Sequence, residues 1–224
     1  MNRVIAVVEG QTERTFVRDV LAPWLGLKGV MLSARLVGKP GHKGGATSFG
    51  KAQNDILSLL KQESDTYVTT MFDFYGMPEA WPGRRRAGQL EHDKKALCVE
   101  RAIKKEVLVT LDDVDERRLF PYVQMHEFEA LLFSEPSALS QVMRDRRSER
   151  DLRSIREEFN TPEEINDDPT TAPSKRIGGL YPGYRKPFHG ILASKKITIE
   201  LMRDECPHFN EWLTFMEELG EHHA

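Results

Sequence analysis

Three points along this chain place an acid at the end of an apolar, β-rich run. Arg3-Val4-Ile5-Ala6-Val7-Val8 runs into Glu9, the stretch from Tyr67 to Phe72 ends on Asp73, and Arg118 to Met125 leads into His126 and Glu127. Carboxylates converging from neighbouring strand tips suit a hard cation such as Mg²⁺ or Mn²⁺, which takes oxygen ligands and keeps several waters. Such an ion polarises a phosphoryl oxygen, activates water or clamps a leaving oxygen. Glu13 would back the first ion's ligands or bind a second ion. Gly10 allows a sharp turn or a close approach, and Thr12 has the side chain of a helix cap. Plainer roles stand beside these. Glu13 and Glu127 suit helix N-termini as any first-turn acid does. His126 suits a satisfied, partly buried imidazole, and Glu129 a solvated or capping position.

The elements that must position these acids follow from periodicity. Residues 3–8 form a buried central strand. Phe16, Val17, Val20, Leu21, Trp24 and Leu25 have helical spacing, Val30 to Val37 reads as a strand, and Ile56, Leu57, Leu59 and Leu60 mark a second helix. With the strand ending at Asp73 this is β-α-β-α-β, which implies a mainly parallel sheet. Its strand tips then share one side, where open α/β sheets bind ligands. Gly76 to Gly88 reads as a surface excursion, Leu90 to Lys105 as a helix, Val107 to Thr110 as a short strand closed by the acidic turn Asp112-Asp113-Val114-Asp115, and Arg118 to Met125 as a further strand. The sequence from Ser134 on is polar and helical, broken over Asn160 to Pro173 and again at Pro207. The expected fold is α/β: a Rossmann-like, mostly parallel sheet flanked by helices over residues 1–135, with a helical C-terminal extension over 136–224 packed on that core.

Composition narrows the function classes. With 39% apolar and 30% charged residues the chain is an ordinary globular one. No run reaches the ~20 apolar residues that cross a bilayer, and the N-terminus lacks the pattern of a signal peptide. Cys98 and Cys206 are too far apart in sequence for a metal-type pair and suit free thiols in a reducing cytoplasm. The net charge of −3 gives no global sign of nucleic-acid binding. Bases nevertheless cluster at Arg84-Arg85-Arg86, from Arg144 to Arg150 and from Lys175 to Lys196, as phosphate-binding patches or as solvated faces. The last cluster interleaves Tyr181, Tyr184 and Phe188 with bases, a pattern that stacks bases and pairs phosphates or simply anchors a loop. Lys186 there could stabilise charge developing on a transferring phosphate. The loop from Gly38 to Gly45 lacks the order of a phosphate-binding P-loop and suits a mobile, substrate-contacting segment.

Val7-Val8-Glu9-Gly10-Gln11-Thr12-Glu13 resembles the opening of TOPRIM domains, especially those of overcoming-lysogenization-defect (OLD) nucleases. Asp73-Phe74-Tyr75-Gly76 resembles their later acidic motif. Together with His126 to Phe133 and Pro162-Glu163-Glu164-Ile165-Asn166, the set is similar to a family of uncharacterised bacterial TOPRIM-like proteins, with a layout related to RloB-type proteins. The resemblance implies Mg²⁺ (or Mn²⁺) binding and phosphoryl transfer on DNA or RNA. It makes Glu9 an acid/base or metal ligand and Asp73 a metal ligand, and it matches Glu13 to the second acid of the OLD-type motif. It further implies a role in phage or mobile-element defence beside an ATPase supplied in trans; a homodimer is also expected. TOPRIM domains carry two aspartates separated by one residue, and Tyr75 holds the second position here. A phenol is a poor Mg²⁺ ligand at neutral pH, so either Glu127 or the acidic turn Asp112-Asp113-Val114-Asp115, otherwise a solvated turn, replaces the ligand, or the site is catalytically weakened; the alternative function is a non-catalytic module that binds nucleic acid or an ATPase.

Overall fold

The computed structural model describes residues 1–38, 48–62, 64–111, 114–165, 168 and 170–221. Most of the Gly38–Gly45 loop, Asp112, Asp113 and Asn166 lie outside the described residues. The chain forms two compact units, one of residues 1–123 with 215–224, the other of residues 124–214.

The first unit is built on a sheet whose strands are β1 (Asn2–Val8), β2 (Val30–Leu36), β3 (Thr66–Asp73), β4 (Leu119–Phe120) and β5 (Val123–Gln124). The order is β2-β1-β3-β4, with β5 also on β3, and the pairs β1–β2, β1–β3 and β3–β4 are parallel. Val4, Ala6, Val7 and Val8 are fully buried, as a central strand covered on both faces must be. The chain leaves β1 on one side for β2 and then crosses back to β3, so the strand order reverses between β1 and β3. Helix α1 (Gln11–Phe16), a π-helical turn over Val17–Leu21 and α2 (Ala22–Gly26) follow β1. Helix α3 (Phe49–Gln62) precedes β3, and α4 (Arg84–Ala87) and α5 (His92–Leu108) follow it.

Two expected elements differ. Val107 is not in a strand: α5 runs on to Leu108. Ala96, Val99, Ile103 and Val107 are buried at helical spacing, and that apolar stripe outweighs the β preference of one valine. Residues 118–125 do not form one strand either. A 3-10 turn over Glu116–Arg118 gives way to β4, and β5 begins only after Pro121 and Tyr122. Pro121 has no N–H for the ladder. Threonines of β3 take over: the Thr69 hydroxyl donates to the Phe120 carbonyl at 2.6 Å and the Thr70 hydroxyl to that of Tyr122 at 2.8 Å. Thr70 Oγ1 also accepts from the Tyr122 N–H at 2.9 Å. The Gly76–Gly88 excursion is likewise anchored, because Trp81 is buried with its ring edge-on to Phe72 and Phe49.

The second unit is helical. Its centre is a 3-10 segment, Phe128–Ser134, buried at every position. Around it lie α6 (Pro136–Met143), α7 (Glu149–Glu157), α8 (Pro173–Leu180), α9 (Ile191–Lys196), α10 (Ile199–Glu205) and the start of α11 (Pro207–Glu221). Phe128, Leu131, Leu132 and Phe133 are shielded from water, worth roughly 1.5–3 kcal/mol each. From Phe215 onward α11 belongs to the first unit. There Phe215 packs on the Phe120 ring at 4.5 Å, Glu217 accepts from the Trp24 indole at 2.9 Å, and the Leu219 carbonyl accepts from Asn2. A side chain at Gly220 would collide with the Lys28 carbonyl, so glycine permits this last approach. Among the described residues no helix is long and apolar enough to cross a membrane.

Candidate metal centre and phosphate-facing residues

Glu9 follows the last residue of β1, and Asp73 is the last residue of β3. They stand at the carboxyl ends of the two strands between which the strand order reverses, the usual place for a ligand in an open α/β sheet. The Glu9 carboxylate accepts a hydrogen bond from the Asp73 backbone N–H at 2.9 Å, which fixes one acidic strand tip against the other.

Helix α1 starts directly behind Glu9, with Gly10 as its N-cap and no side-chain cap. Thr12 is therefore inside the first turn and is not the cap its type suggested. Glu13 is at the third helical position, the place from which a glutamate folds back over the cap residue. It does so here: Glu13 is buried, and a Cβ on Gly10 would strike its Oε2. The φ of Gly10 is −134°, so the glycine is required by this close approach and not by a left-handed backbone. Tyr75 is half-buried in the turn after β3.

Glu127 and Lys186 lie in the second unit, and each has an internal partner there. Glu127 accepts from the Ser174 N–H at 2.9 Å and from the Ser174 hydroxyl at 3.1 Å. Ser174 is in the first turn of α8, so Glu127 satisfies a helix N-terminus, though a different helix from the one that follows it in sequence. Lys186 Nζ lies 3.1 Å from Glu129 Oε2. Glu129 is not solvated: it is fully buried, and it accepts from the Tyr184 hydroxyl at 3.3 Å. Burial and the neighbouring Glu129 charge push the Tyr184 phenol well above its ordinary value, so it is a donor throughout the working pH range. His126 is buried more completely than the partly buried imidazole expected of it. Cys206 is buried beside the Ser134 hydroxyl, whereas Cys98 is only partly buried despite its mid-helix position.

Glu129 and Glu163 are the residues that sequence reasoning undervalued. Glu163 accepts from the backbone N–H groups of His208 and Phe209 at 3.0 and 2.9 Å, which caps α11. Desolvation raises its carboxyl above the ordinary range, against the pull of those two donors. The available signal was a carboxylate set inside an apolar run at Phe128-Glu129-Ala130-Leu131. The aromatic–basic stretch is also less open than its composition suggests. Tyr181 is buried with its hydroxyl on the Asp145 carbonyl, and Arg176 donates to the Thr171 carbonyl at 2.8 Å. Phe188, with the Arg185 guanidinium 5.2 Å from its ring centre, remains exposed.

Among the described residues, no three His, Cys, Asp or Glu side chains gather as a protein-only cage for an ion would require. Two carboxylates at neighbouring strand tips are nevertheless a normal complement for Mg²⁺, which commonly binds one or two carboxylates and completes its shell with water and substrate oxygens. The donor set at Glu9 and Asp73 fits that kind of ion and does not fit a closed structural site.

No curated protein matches this chain. Among solved structures, the C-terminal region of the Xanthomonas campestris pv. campestris OLD protein, in the form phased with platinum, is 15% identical over 99% of this chain and 96% of that one, with a TM-score of 0.50. The same region phased with iodine is 17% identical over 100% and 99%, with a TM-score of 0.46. The C-terminal region of the Burkholderia pseudomallei OLD protein is 15% identical over 95% and 98%, at 0.44. The first of these likenesses bears on the fold alone: an α/β chain with a parallel sheet flanked by helices. A family model described as "Domain of unknown function (DUF4276)" matches residues 8–217, and the chain belongs to that family.

Proposed function

We propose that the protein hydrolyses phosphodiester bonds of a nucleic acid with the help of Mg²⁺ or Mn²⁺. The observation that carries this reading is the Glu9–Asp73 contact at the point where the strand order reverses. The TOPRIM-like order of the motifs and the OLD-like fold support it. Glu9 and Asp73 would hold the ion, which supplies Lewis acidity and lowers the pKa of bound water. The Asp73 N–H orients the Glu9 carboxylate, and Glu13, folded over Gly10, keeps the turn between β1 and α1 in one shape. A metal-ligand role for Glu127 and a phosphate-facing role for Lys186 stay part of the proposal, each as a residue of the second unit. The wider reading includes a partner ATPase in trans, self-association, and service in phage or mobile-element defence in the cytoplasm.

Cleavage of labelled DNA and RNA tests the core of the proposal. Activity is expected with Mg²⁺ or Mn²⁺, is lost in EDTA, and falls by at least about 100-fold in Glu9→Gln or Asp73→Asn. Wild-type levels of cleavage in both variants would overturn it. Tyr75 favours a second reading, a non-catalytic nucleic-acid or ATPase-binding module. Tight nucleic-acid binding with no cleavage under any divalent metal is the result expected of that module.

A further inference from the structure

Helix α5 has two faces of opposite character. Ala96, Val99, Ile103 and Val107 turn inward, while Lys94, Leu97, Arg101 and Lys105 are exposed at the same helical spacing on the other side. That outer face forms one wall of a groove of about 610 Å³, closed by Gly83 and Arg86 from the start of α4. Arg101 and Lys105 also line an adjoining groove of about 460 Å³ with Lys104 and the exposed Val109. Arg85 and Arg86 line a third, beside Trp81. Glu106 is the acid in the first of these grooves, and Lys94 is paired with Glu91.

The groove's shape depends on one glycine. Gly83 has φ +75°, and a Cβ there would sit 2.8 Å from the Cys98 carbonyl oxygen and 2.9 Å from the Ala102 Cβ. This close approach brings the Arg84-Arg85-Arg86 turn onto α5, so cations from two separate segments share one concave surface. Arg101 and Lys105 are four apart on the helix, and like charges at that spacing repel. An anion laid along the groove would relieve that repulsion. Lys94 and Lys105 are about 16 Å apart along the helix axis, a length that spans about five phosphates of one duplex strand measured along its axis.

We propose that this α4–α5 face binds the phosphodiester backbone of a nucleic acid, as a docking surface separate from the acidic strand tips. Regularly strung cations with apolar Leu97 and half-buried Cys98 between them suit a linear polyanion better than a single acidic side chain. The proposal rests on the nucleic-acid reading above and assigns its substrate a place to lie.

The test is fluorescence anisotropy of the full chain with short labelled DNA and RNA, single and double stranded, in EDTA so that cleavage plays no part. Arg86→Gln/Arg101→Gln/Lys105→Gln is expected to bind at least about 10-fold more weakly near 0.1 M salt, and to lower the slope of log affinity against log salt by about 1 per lost contact. All three side chains are exposed, so the variant should fold. Arg18→Gln/Lys28→Gln/Lys61→Gln removes equal charge at exposed positions elsewhere and should leave binding unchanged. Saturating nucleic acid should also slow alkylation of Cys98 by iodoacetamide, with buried Cys206 silent. The proposal is overturned if wild type binds no nucleic acid, if the groove variant matches wild type, if the control loses as much, or if Cys98 is not protected. Equal displacement by polyglutamate would overturn it in favour of an acidic protein partner. Groove-dependent binding without any cleavage would instead remove the hydrolase reading and leave this one standing.

Discussion

Lys186 and Glu129 show how two residues change meaning once packing is known. As isolated letters, Lys186 reads as a cation for a phosphate and Glu129 as a solvated acid. In the fold they face each other at 3.1 Å, and the acid has no exposure to water. Removing one member of such a pair leaves the other charge buried. Lys186→Met is therefore expected to destabilise the protein by about 2 kcal/mol, since the lysine is partly exposed, and Glu129→Gln added to it should recover part of that loss. Thermal unfolding of the two single variants and the double variant checks this. An unchanged Tm with activity lost would place the lysine's role on the substrate alone. Glu163 gives a pH prediction. Its folded pKa is raised above the ordinary 4.5 by burial, so the folded state holds the proton more tightly. That contribution is fully present below about 4.5 and is lost as pH rises through the raised value. Glu163→Gln should flatten the fall in Tm over that window, and an identical pH profile for the two proteins would contradict the assignment. Glu9 and Asp73 were legible from sequence because each ends an apolar run. Glu129 was not, because its partners come from residues more than fifty positions away.

Elements were read well where one period dominated. β1, β3 and α5 carry clear patterns and β2 a weak alternation, and all four are present. The reading failed where local preference and tertiary burial disagree. Val107 has a strand former's side chain but occupies the buried stripe of α5, and the last β-rich run is cut by Pro121 with its hydrogen bonds passed to Thr69 and Thr70. Sequence could not show that one threonine hydroxyl would both accept and donate within a sheet. Gly83 belongs to this scale too. Its left-handed backbone and its contact with α5 both exclude a side chain, so Gly83→Ala should cost on the order of 1–3 kcal/mol. It should also speed alkylation of Cys98 by loosening α4 from α5. Unfolding curves and thiol kinetics measure the two effects, and wild-type values in both would show that the α4 turn is not held by this approach.

At the scale of the whole chain, the parallel sheet was evident from the β-α-β-α-β order, whereas the return of residues 215–221 to the first unit was not. That return is made by Phe215, Glu217, Leu219 and Gly220, which meet Phe120, Trp24, Asn2 and the Lys28 carbonyl. None of these pairings has a short-range signature. A chain ending at Thr214 should lose them all, and with the Phe120–Phe215 contact gone it should unfold several degrees lower. Calorimetry of that truncated form is the check, and an unaltered transition would show that the closing turns of α11 add nothing to the first unit.

The same return has a consequence in time. A ribosome completes β1 through β5 long before it reaches Phe215. With the intervening residues added at about 5–20 per second, the sheet waits on the order of 5–20 seconds for its final partner. During that interval the hydrophobic surface that α11 will cover is open to chaperones. Nascent chains arrested before and after Phe215 should therefore differ sharply in protease resistance.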